Sequence, residues 1–231
     1  MEIIFLGTGT SQGVPVIACD CEVCKSKDPK DNRLRSSIII KTSNNTILID
    51  SGPDFRQQML RENIKDIDAI MYTHSHKDHI SGLDDVRAFN FKWKKDMQLY
   101  CTKEVEDALK REYHYIFREN KYPGVPNVNV NLIKNEKFSI GKDLILPIEG
   151  LHYKMPVFGY RVKNFAYLTD ISYISKMELN KLKNLEVLVL DCLRKEPHLS
   201  HLNLEQAIDI VSQLKPKKSY FIQITAPQPL K

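Results

Sequence analysis

Thr73-His74-Ser75-His76-Lys77-Asp78-His79 follows directly on the apolar run Ile70-Met71-Tyr72, and its reading decides the fold. Three imidazoles and a carboxylate packed into positions 74–79 are too dense for a packing role. In an extended backbone alternate side chains face the same way, so His74 and His76 can share one ion. Asp78 and His79, where the chain turns, can serve a second ion beside it. Neutral imidazole and carboxylate suit Zn²⁺, Mn²⁺ or Fe²⁺.

Outward from this segment, apolar runs read as strands at positions 3–6, 37–41, 46–50, 69–73, 98–101, 144–148, 159–162, 166–169, 187–191 and 219–222. Helical spacing fits 54–62, 103–118, 175–181 and 203–214, the last with Leu204, Ala207, Ile208 and Val211 on one face and Asn203 as its cap. Strands paired as hairpins early and mixed with helices later predict an α/β layered sandwich, one domain over residues 1–231. Apolar residues at 42% and charged residues at 27% exclude long disorder and fibrous repeats. No run approaches the ~18 apolar residues of a membrane span. Met1–Leu6 lacks the features of a signal peptide, so a cytoplasmic protein without a membrane partner is expected. The net charge of +5 suits an anionic substrate, and the one dense basic patch, Lys92-Trp93-Lys94-Lys95, reads as a solvated face.

Cys19, Cys21 and Cys24 lie close together among five cysteines, and in a reducing compartment they read as a metal clip or reactive thiols. Cys101 and Cys192 sit in or beside strand-like runs and read as small buried hydrophobes.

The pattern His-x-His-x-Asp-His after a strand resembles the signature of the metallo-β-lactamase superfamily. Gly7-Thr8-Gly9-Thr10-Ser11-Gln12-Gly13-Val14-Pro15, the cysteine segment, Arg33-Leu34-Arg35-Ser36-Ser37 and Ile49-Asp50-Ser51-Gly52-Pro53 resemble its phosphoribosyl 1,2-cyclic phosphate phosphodiesterase group, an accessory of carbon–phosphorus bond breakdown. The resemblance implies a four-layer αββα sandwich with a two-metal site. It assigns His74, His76 and His152 to the first ion, and Asp78, His79 and Asp170 to the second, with Asp170 bridging both. Asp50 takes a supporting position behind the imidazoles. His201 matches a residue near the leaving group and, with Asp78, is assigned to catalysis. Cys19, Cys21 and Cys24 match three ligands of a structural zinc. Where a further histidine ligand is usual the chain has Gln223, where the next is usual it has Ala226, and the sequence then ends at Lys231, which reads as a truncated C-terminus. A Gln carbonyl is a weaker donor to Zn²⁺ than imidazole, so the second ion is expected to be partly occupied, absent or a harder metal.

The function implied is metal-dependent hydrolysis of a small, cyclic phosphodiester using one or two Zn²⁺ or Mn²⁺ ions, beside one structural Zn²⁺. A homodimer is compatible with this reading, and nucleic acid is not the expected partner. Two alternatives compete: a nuclease of the tRNA 3′-processing type, and a non-catalytic member that binds a metal or an anion.

Overall fold

The structure, a computed structural model, describes residues 1–227. The expected shortening of the C-terminus bears on residues 228–231, outside the described residues. In chain order the strands are β1 (Glu2–Gly7), β2 (Ser37–Lys41), β3 (Thr46–Ile49), β4 (Ala69–Met71), β5 (Met97–Cys101), β6 (Val128–Leu132), β7 (Phe138–Ile140), β8 (Asp143–His152), β9 (Met155–Val162), β10 (Phe165–Leu168), β11 (Tyr173–Ile174), β12 (Val187–Asp191) and β13 (Lys218–Ile222). The helices are α1 (Glu22–Lys25), α2 (Phe55–Arg61), α3 (Lys77–Ile80), α4 (Arg87–Trp93), α5 (Lys103–Glu112), α6 (Lys176–Asn180) and α7 (Leu204–Leu214). The chain forms two compact units, each built from two segments: Met1–Leu6 with Ser37–Asp143, and Gly7–Ser36 with Leu144–Lys231.

The first unit is a sheet in the order β1-β2-β3-β4-β5-β6. A turn joins β2 to its antiparallel partner β3, and there the Thr42 hydroxyl accepts the N–H groups of Asn44 and Asn45 at 3.0 and 2.9 Å. From β3 to β6 the strands are parallel. Ile38-Ile39-Ile40, Ile47-Leu48-Ile49 and Ala69-Ile70-Met71 are all fully buried, the uninterrupted apolar run expected of strands covered on both faces. Phe55 and Met59 of α2, Phe89 of α4 and Val105 and Leu109 of α5 pack on Ile39, Leu48, Ile70 and Leu99. The helix expected to reach Arg118 stops at Glu112, because Tyr113 and Tyr115 leave the helical path and donate their hydroxyls to the Ile80 carbonyl (3.0 Å) and the Asp84 carboxylate (2.6 Å). The basic patch closes α4, where Lys95 pairs with Asp66 and Asp68.

The second unit has the order β11-β8-β9-β10-β12-β13. β9 runs antiparallel to both β8 and β10, and β10, β12 and β13 are parallel. Hence β8, β10, β12 and β13 all point one way and deliver their C-terminal residues to one edge of the sheet. Over this sheet α7 is capped as expected: Asn203 accepts from the Gln206 N–H at 2.9 Å, and the Gln206 side chain accepts in return from the Asn203 N–H at 3.0 Å. Ala207 of α7 is fully buried, with Leu204, Val211 and Leu214 packed on the same cluster, whereas Ile208, expected on that face, is 47% exposed. The N-terminal segment joins this unit through Thr10 N–H to the Ile224 carbonyl (3.2 Å) and Ile224 N–H to the Thr8 carbonyl (3.0 Å). Gly7 and Gly9 serve that packing: a Cβ at Gly7 would collide with the Arg35 carbonyl oxygen, and one at Gly9 would sit 2.7 Å from that of Arg33.

Each unit is thus a sheet carrying helices, in keeping with the expected α/β class. No helix among the described residues is long and apolar enough to cross a membrane.

Gly82 closes the turn after α3, its N–H bonding to the Ser51 carbonyl at 2.7 Å. An added Cβ would strike the Gly52 carbonyl oxygen and come within 2.5 Å of the Phe55 Cβ. Gly82→Ala is expected to cost about 1–3 kcal/mol, the usual range for overpacking, measured by urea denaturation. Unchanged stability would show that this turn tolerates a side chain.

Candidate metal centre

In the first unit, β3 and β4 end side by side, and the chain leaving β4 becomes the histidine segment. Asp50, just past β3, has φ 63°, an uncommon conformation for a residue with a side chain. Its carboxylate is fully buried. It accepts the Thr73 N–H at 2.8 Å, the Thr73 hydroxyl at 2.8 Å and His79 Nδ1 at 2.7 Å. Burial raises the pKa of this carboxyl group, while the charge and hydrogen bond of His79 pull it down. Since the Thr73 hydroxyl spends its proton on Asp50, it can only accept from His74 Nδ1, 3.0 Å away. Both imidazoles are therefore assigned as Nδ1–H tautomers, with the lone pair on Nε2. His79 Nε2 lies 3.1 Å from Asp78. The His74 ring centroid is 4.7 Å from that of His76 and 4.2 Å from that of His79. His79, expected at a turn, lies on α3 and is buried, as is His74, while His76 is exposed and Asp78 half-buried. Buried imidazoles oriented from behind by a carboxylate are what divalent metals require of their ligands.

In the second unit, the shared direction of its strands brings four residues to one edge. His152 ends β8, Asp170 follows β10, Asp191 ends β12 and Gln223 follows β13. Asp170 and Gln223 both take positive φ, 55° and 63°. His152, Asp170 and His201 each offer a ligand atom within 4.8 Å of the others, a group that could hold a metal. His201, read from sequence as a catalytic residue alone, thus stands among the metal-ligand candidates. Its Nδ1 lies 3.1 Å from Asp191, and its Nε2 lies 3.8 Å from Asp170. Asp191 also accepts the Ile171 and Leu202 N–H groups at 3.1 and 3.3 Å. Burial pushes Asp191 up to about 6, with His201 acting in the opposite direction.

Asp191 escaped the sequence reading, although it ends an apolar strand just as Asp170 follows one. Gln223 reaches Asp170 at this edge. Its amide nitrogen, not its carbonyl, meets Asp170, donating to Asp170 Oδ2 and to the Thr169 hydroxyl (3.0 Å). His198 lines a cavity of about 320 Å³ with Thr10, Ser11, Arg194 and His201.

Cys19, Cys21 and Cys24 come together, their sulfurs within 4.8 Å of one another, and among the described residues this group of candidate ligands stops at three. The Cys24 N–H donates to the Cys21 sulfur at 3.4 Å, which lowers the pKa of that thiol. Cys24 receives the Val16 N–H at 3.3 Å, but burial and the neighbouring thiols prevail and push it up to about 11. Cys101 and Cys192 are buried.

Comparison with known proteins agrees with this geometry. Residues 45–224 match the family described as Beta-lactamase superfamily domain. The crystal structure of a new diphosphatase from the PhnP family superposes with a TM-score of 0.90 at 41% identity, over 96% of this chain and 86% of that one. An octanoyltransferase of Porphyromonas gingivalis is 39% identical over all of this chain but only 47% of its own length. A ribonuclease Z of Methanocaldococcus jannaschii is 28% identical over 80% of this chain and 56% of its own. The chain therefore spans about half the length of these curated relatives.

Asp50→Asn keeps the size of the side chain and removes the charge that orients His79. Metal affinity is expected to fall about 10–100-fold, the usual effect of losing such a support. Metal titration with circular dichroism as a fold check measures it, and unchanged affinity would remove Asp50 from the centre.

Proposed function

The chain belongs to the beta-lactamase superfamily and, within it, to the PhnP family, and from that membership we propose that it is a metal-dependent phosphodiesterase acting on a small, cyclic phosphodiester. The observation that carries the reading is the pair of buried imidazoles, His74 and His79, held as Nε2 donors through Thr73 and Asp50. We assign His74, His76 and His152 with Asp78, His79 and Asp170 as the ligand set for Zn²⁺ or Mn²⁺. A divalent ion held there would lower the pKa of a water molecule and offset negative charge on the phosphoryl oxygens.

The chain's own contribution on the leaving-group side is His201. With Nδ1–H donated to Asp191, its Nε2 can hold a proton for the departing oxygen. Asp191 acts through His201, fixing the ring by a contact that is itself braced by two backbone N–H groups. Cys19, Cys21 and Cys24 are proposed to hold a structural Zn²⁺ whose fourth ligand comes from water or a neighbouring group. We also propose a cytoplasmic location.

Likeness to a ribonuclease Z supports a nuclease as the second reading. A protein that binds metal without turning over any phosphodiester would fit the third, a non-catalytic member. Octanoyl transfer is not proposed for this chain, which matches less than half of the protein so named.

Assays on bis(p-nitrophenyl) phosphate, a cyclic ribose phosphate, a precursor tRNA and a β-lactam separate these readings. Turnover of the first two is expected. His74→Ala should reduce it by more than the roughly 100-fold that follows loss of an outer support, without unfolding the protein. Cleavage of the tRNA alone would establish the nuclease, and lactam turnover without phosphodiester turnover would defeat the proposal.

Cys21→Ser is expected to remove one zinc equivalent per chain by elemental analysis. An unchanged zinc content would mean that the three thiols hold no metal.

A further inference from the structure

Thr169, Asp170 and Gln223 form a closed hydrogen-bonded triangle. The Thr169 hydroxyl donates to Asp170 Oδ2 at 2.7 Å. Gln223 Nε2 donates to the Thr169 oxygen at 3.0 Å and to the same Asp170 Oδ2. The direction of the amide follows from chemistry, because turning it over would set the Gln223 carbonyl against a carboxylate, acceptor against acceptor. Gln223 is 1% exposed, and its Oε1 is buried with no hydrogen-bond partner. The amide thus turns its nitrogen to Thr169 and Asp170 and leaves its own oxygen without a partner.

A carboxylate oxygen offers two in-plane lone pairs, and Asp170 Oδ2 accepts two hydrogen bonds. The other oxygen, Oδ1, is the one that approaches His201 Nε2, at 3.8 Å. A carboxylate that bridges two cations must give an oxygen to each. We propose that Gln223 makes this centre mononuclear: with Thr169 it fills Asp170 Oδ2 with protons, so that Asp170 ligates one ion through Oδ1 and bridges none. The proposal rests on the assignment of Asp170 and its neighbours as ligands. It gives Gln223 the role of a neutral donor standing where a second cation would neutralise the carboxylate. Gln223 is a positioning residue and does not itself ligate the ion.

Mn²⁺ is the probe, since it favours oxygen and nitrogen donors and leaves the cysteine cluster uncounted. The full chain, stripped of metal and titrated with Mn²⁺, is expected to bind one equivalent and to give the electron paramagnetic resonance spectrum of an isolated ion. Two equivalents with an exchange-coupled spectrum would overturn the proposal, and no bound Mn²⁺ would overturn it together with the ligand assignment. Gln223→His should raise the count to two, and a folded variant that still binds one would show that Gln223 is not the cause. If that variant does not fold, Thr169→Val takes its place. Losing one of the two protons on Oδ2 should bring in a second, weaker Mn²⁺, and an unchanged single-site isotherm counts against the proposal. Turnover of bis(p-nitrophenyl) phosphate on the same samples keeps the two claims apart. One ion without turnover defeats the phosphodiesterase reading alone, and two ions with turnover defeat the mononuclear inference alone.

Discussion

A carboxylate withdrawn from water is costly unless it finds donors, and Asp50 has three: the Thr73 backbone, the Thr73 hydroxyl and His79. Because the same hydroxyl accepts from His74, one buried charge sets the tautomer and orientation of two imidazoles. The position of Asp50 is set in turn by strand pairing. β3 and β4 are parallel neighbours, so the residue after one strand stands beside the residues after the other. The apolar strands determine where the carboxylate sits, and the carboxylate determines how the histidines point.

The second unit repeats this logic with different residues. Its parallel strands end in acids and an amide, and the buried Asp191 holds His201 as Asp50 holds His79. In both units residues at or beside strand ends take left-handed backbone: Asp50, Asp170 and Gln223. Such conformations cost about 1–3 kcal/mol each and persist where the surrounding structure imposes them. Here the hydrogen bonds of Asp50, Asp170 and Gln223 hold them in place.

Much of this could be read from the residues in order. Long apolar runs such as Ile38-Ile39-Ile40 and Val187–Asp191 announce buried strands, because a strand covered on both faces has no polar alternation to disguise it. The density of histidines at 74–79 marks the centre without any knowledge of the fold. β6, written Val-Asn-Val-Asn-Leu, is not legible in the sequence, because its polar half looks like a loop until β5 is available to pair with it. The helix after β5 ends earlier than its sequence pattern suggests, since nothing local shows that Tyr113 and Tyr115 bond to distant acceptors. Asp191 was missed for a similar reason: its importance lies in contacts with Ile171 and His201, which only the folded chain supplies. Gln223 was recognised as a departure, but which end of its amide meets Asp170 depends on Thr169, a partner far away in the sequence.

The way the chain is divided also constrains how it can be made. Gly7–Ser36 belongs with Leu144–Lys231, and its backbone bonds at Thr8 and Thr10 are to Ile224, almost at the other end of the chain. During synthesis, at about 5–20 residues per second, everything the first unit needs has emerged once Asp143 clears the ribosome. The N-terminal segment can pair with itself earlier, Gly9 with Arg35 and Val14 with Arg33, but the bonds of Thr8 and Thr10 must wait until Ile224 exists.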